Sequence, residues 1–531
     1  MFTGTLDSYQ QQPKDKFIGR GNLLVAYTMG LGKTPIAIAA AEELCDQGKI
    51  STVLIVCPAS LKYQWAQKIA QFTDCWTIQK RVGKESIEIP AQSYCMVIDG
   101  DKEERVERYK QAFLARYIII GYDNVLNDDA QVRDIKPDMV VLDEATAIKT
   151  FKAQRTKKIK KVLKAPYRMA LTGTPVENRP DEVYSIMQWV DDTVLGRYDL
   201  FDKAFIKRNG NGWPVAYKNL PVLHERLAPA LSRLTNEDEQ VKEFMPEADR
   251  DEWFVDMTPE MKKAYKVIAA DMLAELDRYI PDGKFRMTDS GPMDESKPSG
   301  KLMARYMCLE MLVDHPDLII KSGMDYAAGE KAGSKYAYEL WQSGALDNVT
   351  SSPKLEKLIR QLRVLSRRNK VLVFTRYKYM LTLIEERLKE LGIGCVQFHG
   401  GMSSAKKAEA IAVFTKDPDC TVFLSSHAGA YGVDMYMARW LIKYDLPWSA
   451  GTSEQIDFRH IRRSSEFDLV YIRNLIMNGS FEPRKLRIIT RKKNLGSAIL
   501  DNRGSNAGGI TLEGDSLRDH LTDVVEDGIL E

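Results

Sequence analysis

LLVAYTMGLGKTPIAIAAAEEL, residues 23–44, runs from an apolar stretch through a glycine turn into a helical pattern. Leu23 to Ala26 reads as a buried strand, and Ile36 to Leu44 as an apolar helix. Between them Gly30 and Gly32 allow backbone N–H groups to converge on phosphate oxygens, and the helix N-terminus adds its dipole. In this reading Met29, Gly30, Leu31, Gly32, Lys33 and Thr34 cradle a nucleoside triphosphate, with Lys33 on the terminal phosphates and Thr34 on Mg²⁺. The first glycine of the general pattern falls at Tyr27, and Pro35 suits a first helical turn. Taken alone, the motif leaves open a plain glycine turn ahead of a helix.

Working outward, short apolar runs alternate with helical patterns as far as Leu171: Val53–Cys57, Met96–Ile98, Ile118–Ile120, Met139–Leu142 and Met169–Leu171. This alternation predicts βαβ units and a mainly parallel sheet covered by helices. Val140 to Leu142 leads into Asp143 and Glu144, two adjacent carboxylates at a strand end, where open α/β sheets bind ligands. We assign Asp143 to Mg²⁺ and Glu144 to the attacking water, with a simple capping acid pair as the alternative. From Asp191 to Ser351 helical patterns take over, among them Met261, Tyr265, Ile268, Met272 and Leu276 on one face, with Lys262, Lys263 and Asp271 facing water. Pro281 to Gly300 reads as a surface loop. A second alternating block follows, with strands at Val371–Phe374, Gly394–Gln397, Thr421–Leu424, Trp440–Tyr444 and Leu469–Ile472 and helices at Met380–Leu391 and Ala405–Phe414.

The fold class expected is therefore α/β: two parallel-sheet lobes with a mainly helical insertion between them. Lobe 1 covers 1–190, the insertion 191–350, lobe 2 351–500, and a flexible acidic tail 501–531. A chain of 531 residues is too long for one ordinary core, while 44% hydrophobic and 28% charged residues exclude a disordered chain. Net charge is +2, so any nucleic-acid surface must come from local basic runs. Two stand out: Arg155, Lys157, Lys158, Lys160, Lys161 and Lys164, then Arg484, Lys485, Arg487, Arg491, Lys492 and Lys493; solvated helix faces are the alternative for each. None of the seven cysteines forms a C-x-x-C pair, which speaks against a zinc module, and Cys57 and Cys95 sit in strand runs as small apolar side chains. With no secretory pattern or membrane-length apolar run, a cytoplasmic location on nucleic acid is expected. His315 and His399 lack a nucleophile partner and read as packing or loop residues.

The ordered motifs resemble helicase superfamily 2, and within it the Swi/Snf-like branch of DNA translocases. The resemblance runs over roughly residues 5–500. It rests on Leu6-Asp7-Ser8-Tyr9-Gln10 ahead of the phosphate loop, Leu54 to Leu61 followed by Trp65, and Leu142 to Lys149. Leu171-Thr172-Gly173-Thr174-Pro175 with Glu177-Asn178 comes next, then Val371 to Thr375 and Phe398 to Gly401. The last blocks are Ala428 to Asp434, Tyr444 to Trp448, and Gln455, Arg459 and Arg462. Four residues depart from the family pattern: Tyr27-Thr28 replaces an acidic pair, Thr146 a His, and Ala430 a Gly.

The resemblance implies two RecA-like lobes, with ATP and Mg²⁺ as cofactors and Gln10 and Gln455 as further nucleotide contacts. Lys33 and Arg462 fall in different expected lobes, so they share one phosphate only if ATP closes the cleft between them. Arg459 and Arg462, three apart, would present together on a helix and stabilise the transferring phosphoryl group. Ser60, Thr172 and Ser426 are candidates for contacts to a nucleic-acid backbone, which carry little base specificity. The expected function is an ATP-dependent DNA translocase that remodels DNA structures or protein–DNA complexes, with duplex DNA favoured over RNA. The alternatives are a strand-separating DNA or RNA helicase and an ATP-gated clamp with weak turnover, the latter because of the departures at Tyr27, Thr28 and Thr146. A chain that is little more than a motor core suggests a prokaryotic or viral origin.

Overall fold

Each of the six short apolar runs expected as strands between residues 23 and 171 coincides with a strand, because a parallel strand covered on both faces needs a continuous run of apolar side chains. The computed structural model describes residues 1–82, 85–210, 212, 214–279, 295, 297–426, 435–463, 465–503, 510–511, 521–522 and 524–525. The chain divides into two compact units: Met1–Pro246 with Lys492–Thr511, and Glu247–Arg491 with Leu512–Glu531.

In the first unit the strands are β1 (Asn22–Tyr27), β2 (Val53–Cys57), the hairpin β3 (Thr77–Val82) and β4 (Glu85–Pro90), and β5 (Cys95–Val97). They continue with β6 (Tyr117–Gly121), β7 (Met139–Asp143), β8 (Tyr167–Leu171), β9 (Ile206–Arg208), β10 (Pro214–Tyr217) and β11 (Leu231–Leu234), and a short strand Ile510–Thr511 pairs with β10. Seven of them form one parallel sheet in the order β11-β1-β8-β7-β2-β6-β5. Strand β1, which leads into the glycine turn, therefore lies inside the sheet. Helices α1 (Ser8–Arg20), α2 (Lys33–Asp46) and α3 (Lys62–Phe72) contribute Phe17, Ile36, Leu44, Trp65 and Ile69 to a core shared with Leu23, Val25, Ile55 and Val141.

The second unit holds β12 (Glu247–Val255), β13 (Val371–Thr375), β14 (Gly394–Phe398), β15 (Cys420–Ser426), β16 (Trp440–Lys443) and β17 (Leu469–Met477). They make a parallel sheet in the order β12-β17-β16-β13-β15-β14. Both sheets are thus the parallel α/β type expected.

The segment 191–350 is not wholly helical. It supplies β11 to one sheet and β12 to the other, and its residues are divided at Pro246/Glu247 between the units. Strand β12, EADRDEWFV, is mostly polar because it is an edge strand with much of its length open to water, so no apolar run marks it. The stripe Met261, Tyr265, Ile268, Met272 and Leu276 is buried on helix Pro259–Tyr279, while Lys262, Lys263 and Asp271 are exposed. Of the expected loop Pro281–Gly300, residues 281–294 and 296 lie outside the described residues, and Pro298 to Gly300 open helix Pro298–Asp314. Of the tail 501–531, residues 504–509, 512–520, 523 and 526–531 also lie outside them.

Several buried charges inside the second unit are paired. Lys354, fully buried at the start of helix Pro353–Leu365, sits 2.9 Å from Asp314 and 2.7 Å from Glu482. Burial raises both carboxyls. Burial alone would lower the lysine, but the two acids outweigh it and hold the ammonium above its ordinary range. Glu310 accepts hydrogen bonds from Arg376 (2.8 Å) and Lys485 (2.6 Å), and Lys485 lies 4.5 Å from the centre of the Trp448 ring. Among the described residues no helix is long and apolar enough to cross a membrane.

Candidate functional site

The turn after β1 depends on two glycines in the left-handed region, Gly30 at φ 88° and Gly32 at φ 75°. A Cβ on Gly32 would lie 2.1 Å from Gln10 Nε2, so a side chain there would displace the Gln10 carboxamide as well as strain the backbone. Gln10, buried on α1, accepts from the backbone N–H of Asp7 (3.0 Å) and donates to Leu31 O (3.2 Å). Its carboxamide keeps a second N–H and a second lone pair for a ligand. Lys33 opens α2 and donates to Tyr27 O at 2.8 Å. Met29, Thr34 and Lys33 are partly exposed, and Leu31 is buried.

Tyr27 has a structural task where the general pattern has glycine. Its ring is buried and its hydroxyl donates to Tyr9 O at 2.7 Å, which ties the residue before Gln10 to the end of β1. Burial raises the phenol above its ordinary value. Thr28 is also buried, and its N–H donates to Leu234 O of β11 at 2.9 Å.

Asp143 ends β7, in the same sheet as β1 with β8 between them. Its Oδ2 accepts from the indole N–H of Trp65 at 2.8 Å, and its Oδ1 from the backbone N–H of Glu144 at 3.0 Å. Burial raises this carboxyl; the Trp65 hydrogen bond and the charge of Lys33 act against the rise. Glu144 adopts φ 50°, which turns the chain sharply at the strand end. Thr146, in the family's His position, donates to Glu144 O at 3.5 Å. A different link joins this box to the next motif: Lys149 pairs with Glu177 at 2.5 Å. Thr172 is buried and its hydroxyl accepts from Thr174 N–H at 3.2 Å, so of the proposed backbone-contacting hydroxyls Thr172 is turned inward while Ser60 is exposed. Gly173 packs against the turn after β1, where an added Cβ would meet Met29 Cγ at 3.6 Å.

The donor sets suit the ligands expected. A left-handed glycine turn at a helix start, with a lysine beside it, suits a polyphosphate. A buried carboxyl raised by burial, together with the Thr34 hydroxyl, offers the hard oxygen ligands Mg²⁺ takes when phosphates complete its shell. Among the described residues no group of three or more His, Cys, Asp or Glu side chains could hold a metal by itself.

In the second unit, Gln455 lies on helix Ala450–Asp457, but Arg459 and Arg462 lie beyond its end and do not share a helical face. Beyond the helix end His460 folds back, its Nδ1 3.1 Å from Asp457 O, while Arg459 O accepts from Met435 N–H at 2.8 Å. Burial drives the His460 imidazole down to about 4 and keeps it neutral. Arg459 is buried and Arg462 partly exposed. Asp445 accepts from the Thr375 hydroxyl at 2.5 Å and from Arg376 N–H at 2.8 Å, which joins the Val371–Thr375 and Tyr444–Trp448 motifs. Ala428 to Asp434 lie outside the described residues, and Ser426 is buried. Lys33, Asp143 and Glu144 therefore belong to one unit and Gln455, Arg459 and Arg462 to the other.

The basic runs are only partly solvated. Arg155, Lys157, Lys158, Lys161 and Lys164 are exposed. Lys160 instead turns in to Ser185 Oγ (2.9 Å) and Gln188 Oε1 (3.0 Å), and burial lowers it to about 7. In the second run Arg484 and Lys485 are buried. His315 caps a helix by accepting from Asp317 N–H at 3.2 Å, and His399 accepts from Gly401 N–H at 3.2 Å, so both serve turns. Cys57 and Cys95 are buried, and burial raises both thiols.

Comparison with known proteins follows the same two blocks. The SNF2-related domain family matches residues 18–317, and the helicase conserved C-terminal domain matches residues 353–464. The chain is 26% identical over 514 residues to the DNA repair and recombination protein RAD54B of Gallus gallus, covering 91% of this chain and 52% of that protein. It is 25% identical over 514 residues to the putative ATP-dependent helicase/translocase YwqA of Bacillus subtilis, covering 94% of this chain and 49% of that one. The chain spans about half the length of these relatives. The helicase domain of Pyrococcus furiosus Hef shares the fold, with a TM-score of 0.54 at 16% identity, covering 91% of this chain and 99% of that one. Relatives in chicken and mouse run against the expected prokaryotic or viral origin. With more than half of its residues matched, the chain belongs to the SNF2-related domain family.

Proposed function

We propose that this member of the SNF2-related family is an ATP-dependent DNA translocase, a nucleic-acid-stimulated ATPase that moves along duplex DNA. One observation carries the reading most strongly: the Gly30–Lys33 turn and the Asp143–Glu144 pair end strands of one sheet, close enough for Lys33 to act electrostatically on Asp143. The names of the relatives, a DNA repair and recombination protein and a putative ATP-dependent helicase/translocase, support the substrate and the activity.

In this proposal Met29 to Thr34 bind the phosphates of ATP and Gln10 and Gln455 orient the nucleotide. Thr34 and Asp143 would hold Mg²⁺, which when bound neutralises charge on the phosphate oxygens. Glu144 orients the attacking water and takes its proton, Lys33 stabilises the terminal phosphate, and Arg459 and Arg462 stabilise charge on the transferring group. Closure on ATP and release after hydrolysis would drive stepping. Ser60 and the exposed cations from Arg155 to Lys164 would grip phosphates, with little base specificity.

ATP hydrolysis measured in parallel with duplex DNA, single-stranded DNA and RNA tests the proposal. Stimulation by duplex DNA is expected. Stimulation confined to single strands or RNA would support a strand-separating helicase, and tight binding with negligible turnover would support a clamp.

A further inference from the structure

The ladder between β1 and β8 stops at the point where the two motifs begin. Its last bond runs from Thr172 N–H to Val25 O at 3.2 Å. Beyond it the chains part, β1 into the phosphate loop and β8 into the Thr172–Pro175 turn, leaving the carbonyls of Ala26 and Gly173 facing a third group. That group is Arg233 of β11, which lies opposite Ala26 in the register of the two strands. One Nη1 donates to both Ala26 O (2.9 Å) and Gly173 O (3.2 Å). The other edge of the guanidinium faces Asp501, with Nε 2.8 Å from Oδ1 and Nη2 3.5 Å from Oδ2. The ion pair is largely enclosed, with 18% of the arginine and 11% of the aspartate side chain exposed.

Only a planar cation with donors on two edges satisfies this arrangement, which an ammonium does not offer. We propose that Arg233 is a positioning residue for nucleotide hydrolysis, held in pose by Asp501. It fixes the spacing between the phosphate loop and the Gly173 turn where backbone pairing no longer does so. Its reach to the chemistry is short, since Lys33 rests on Tyr27 O, the carbonyl next after the one Arg233 holds. The proposal rests on the reading of Lys33 and its loop as an ATP site.

The test uses the full chain and three variants: Arg233→Met, Asp501→Asn and the double substitution. For Arg233→Met, kcat for ATP hydrolysis with saturating duplex DNA should fall about tenfold while KM for ATP changes less than about threefold, because the phosphates still bind but are misaligned. Asp501→Asn should lower kcat by a smaller factor, and add nothing in the Arg233→Met background, since Asp501 acts through the arginine. A purely structural pair would lower Tm and leave kcat and KM of the folded fraction unchanged, which overturns the proposal. Should Arg233→Met fail to fold, the near-isosteric Asp501→Asn decides alone: reduced kcat at constant KM supports positioning, and wild-type kcat refutes it. An unsubstituted chain that hydrolyses no ATP would instead overturn the ATP-site reading itself.

Discussion

Lys354→Met removes an ammonium held 2.9 Å from Asp314 and 2.7 Å from Glu482, at a position with no exposure to solvent. Methionine fills a similar volume, so the loss is electrostatic: two buried carboxyls remain without their common partner. Breaking a buried ion pair in this way costs about 3–5 kcal/mol. In a unit of this size each kcal/mol moves the midpoint by about 2–4 °C, which places the expected fall in Tm at about 6–20 °C. The sign of the pH dependence follows from the carboxyls. Both are already raised by burial, with Lys354 acting against the rise, so its removal lifts them further. The folded state then holds protons that the unfolded state releases, and stability falls as pH rises through the raised values. Calorimetry at pH 5 and pH 8 should therefore find the larger loss at pH 8. Asp314→Asn with Glu482→Gln in the Lys354→Met chain should recover part of it. A fall under about 2 °C at pH 8 would refute the reasoning.

Three further outcomes concern the proposed site. Lys33→Ala should abolish ATP turnover, measured as phosphate release, and full activity would remove the loop from the nucleotide site. Arg462→Ala should slow hydrolysis while leaving nucleotide affinity, measured by titration of a fluorescent ATP analogue, largely intact; unchanged turnover would deny Arg462 its role. Trp65→Phe removes a hydrogen bond from the Asp143 carboxylate, worth about 1.5–3 kcal/mol to a charged group. Asp143 then protonates more readily, so the acid limb of the pH–kcat profile should shift to higher pH; an identical limb would show that Asp143 ionisation does not govern turnover.

The apolar strands of both sheets were legible in the sequence because burial on both faces demands uninterrupted apolar runs, as in Val53–Cys57 and Val371–Thr375. The glycine turn was legible for a similar reason, since few sequences satisfy left-handed φ beside a lysine at a helix start. Polar partnerships were not. Trp65 finds Asp143 across 78 residues and Arg233 finds Asp501 across 268, and no local periodicity records such a pairing. Strand β12 escaped notice because an edge strand open to water can be largely charged. The spacing of Arg459 and Arg462 suggested one helical face, but the helix ends at Asp457, before either arginine. Charge runs also mislead when a stem buries its head: Arg484 and Lys485 look solvated in sequence and are enclosed.

The first unit is discontinuous in the chain, with the whole interval Glu247–Arg491 separating its two pieces. At synthesis rates of about 5–20 residues per second, that interval takes roughly 12–50 seconds to make. Throughout that time the β1 and β8 ends exist, and Arg233 with them, but Asp501 does not. A nascent chain can therefore pair its first sheet early while the carboxylate that sets Arg233 arrives only after that interval. Chains ended just before and just after Asp501 differ in this one partner, making biosynthetic timing a variable in how the loop is set.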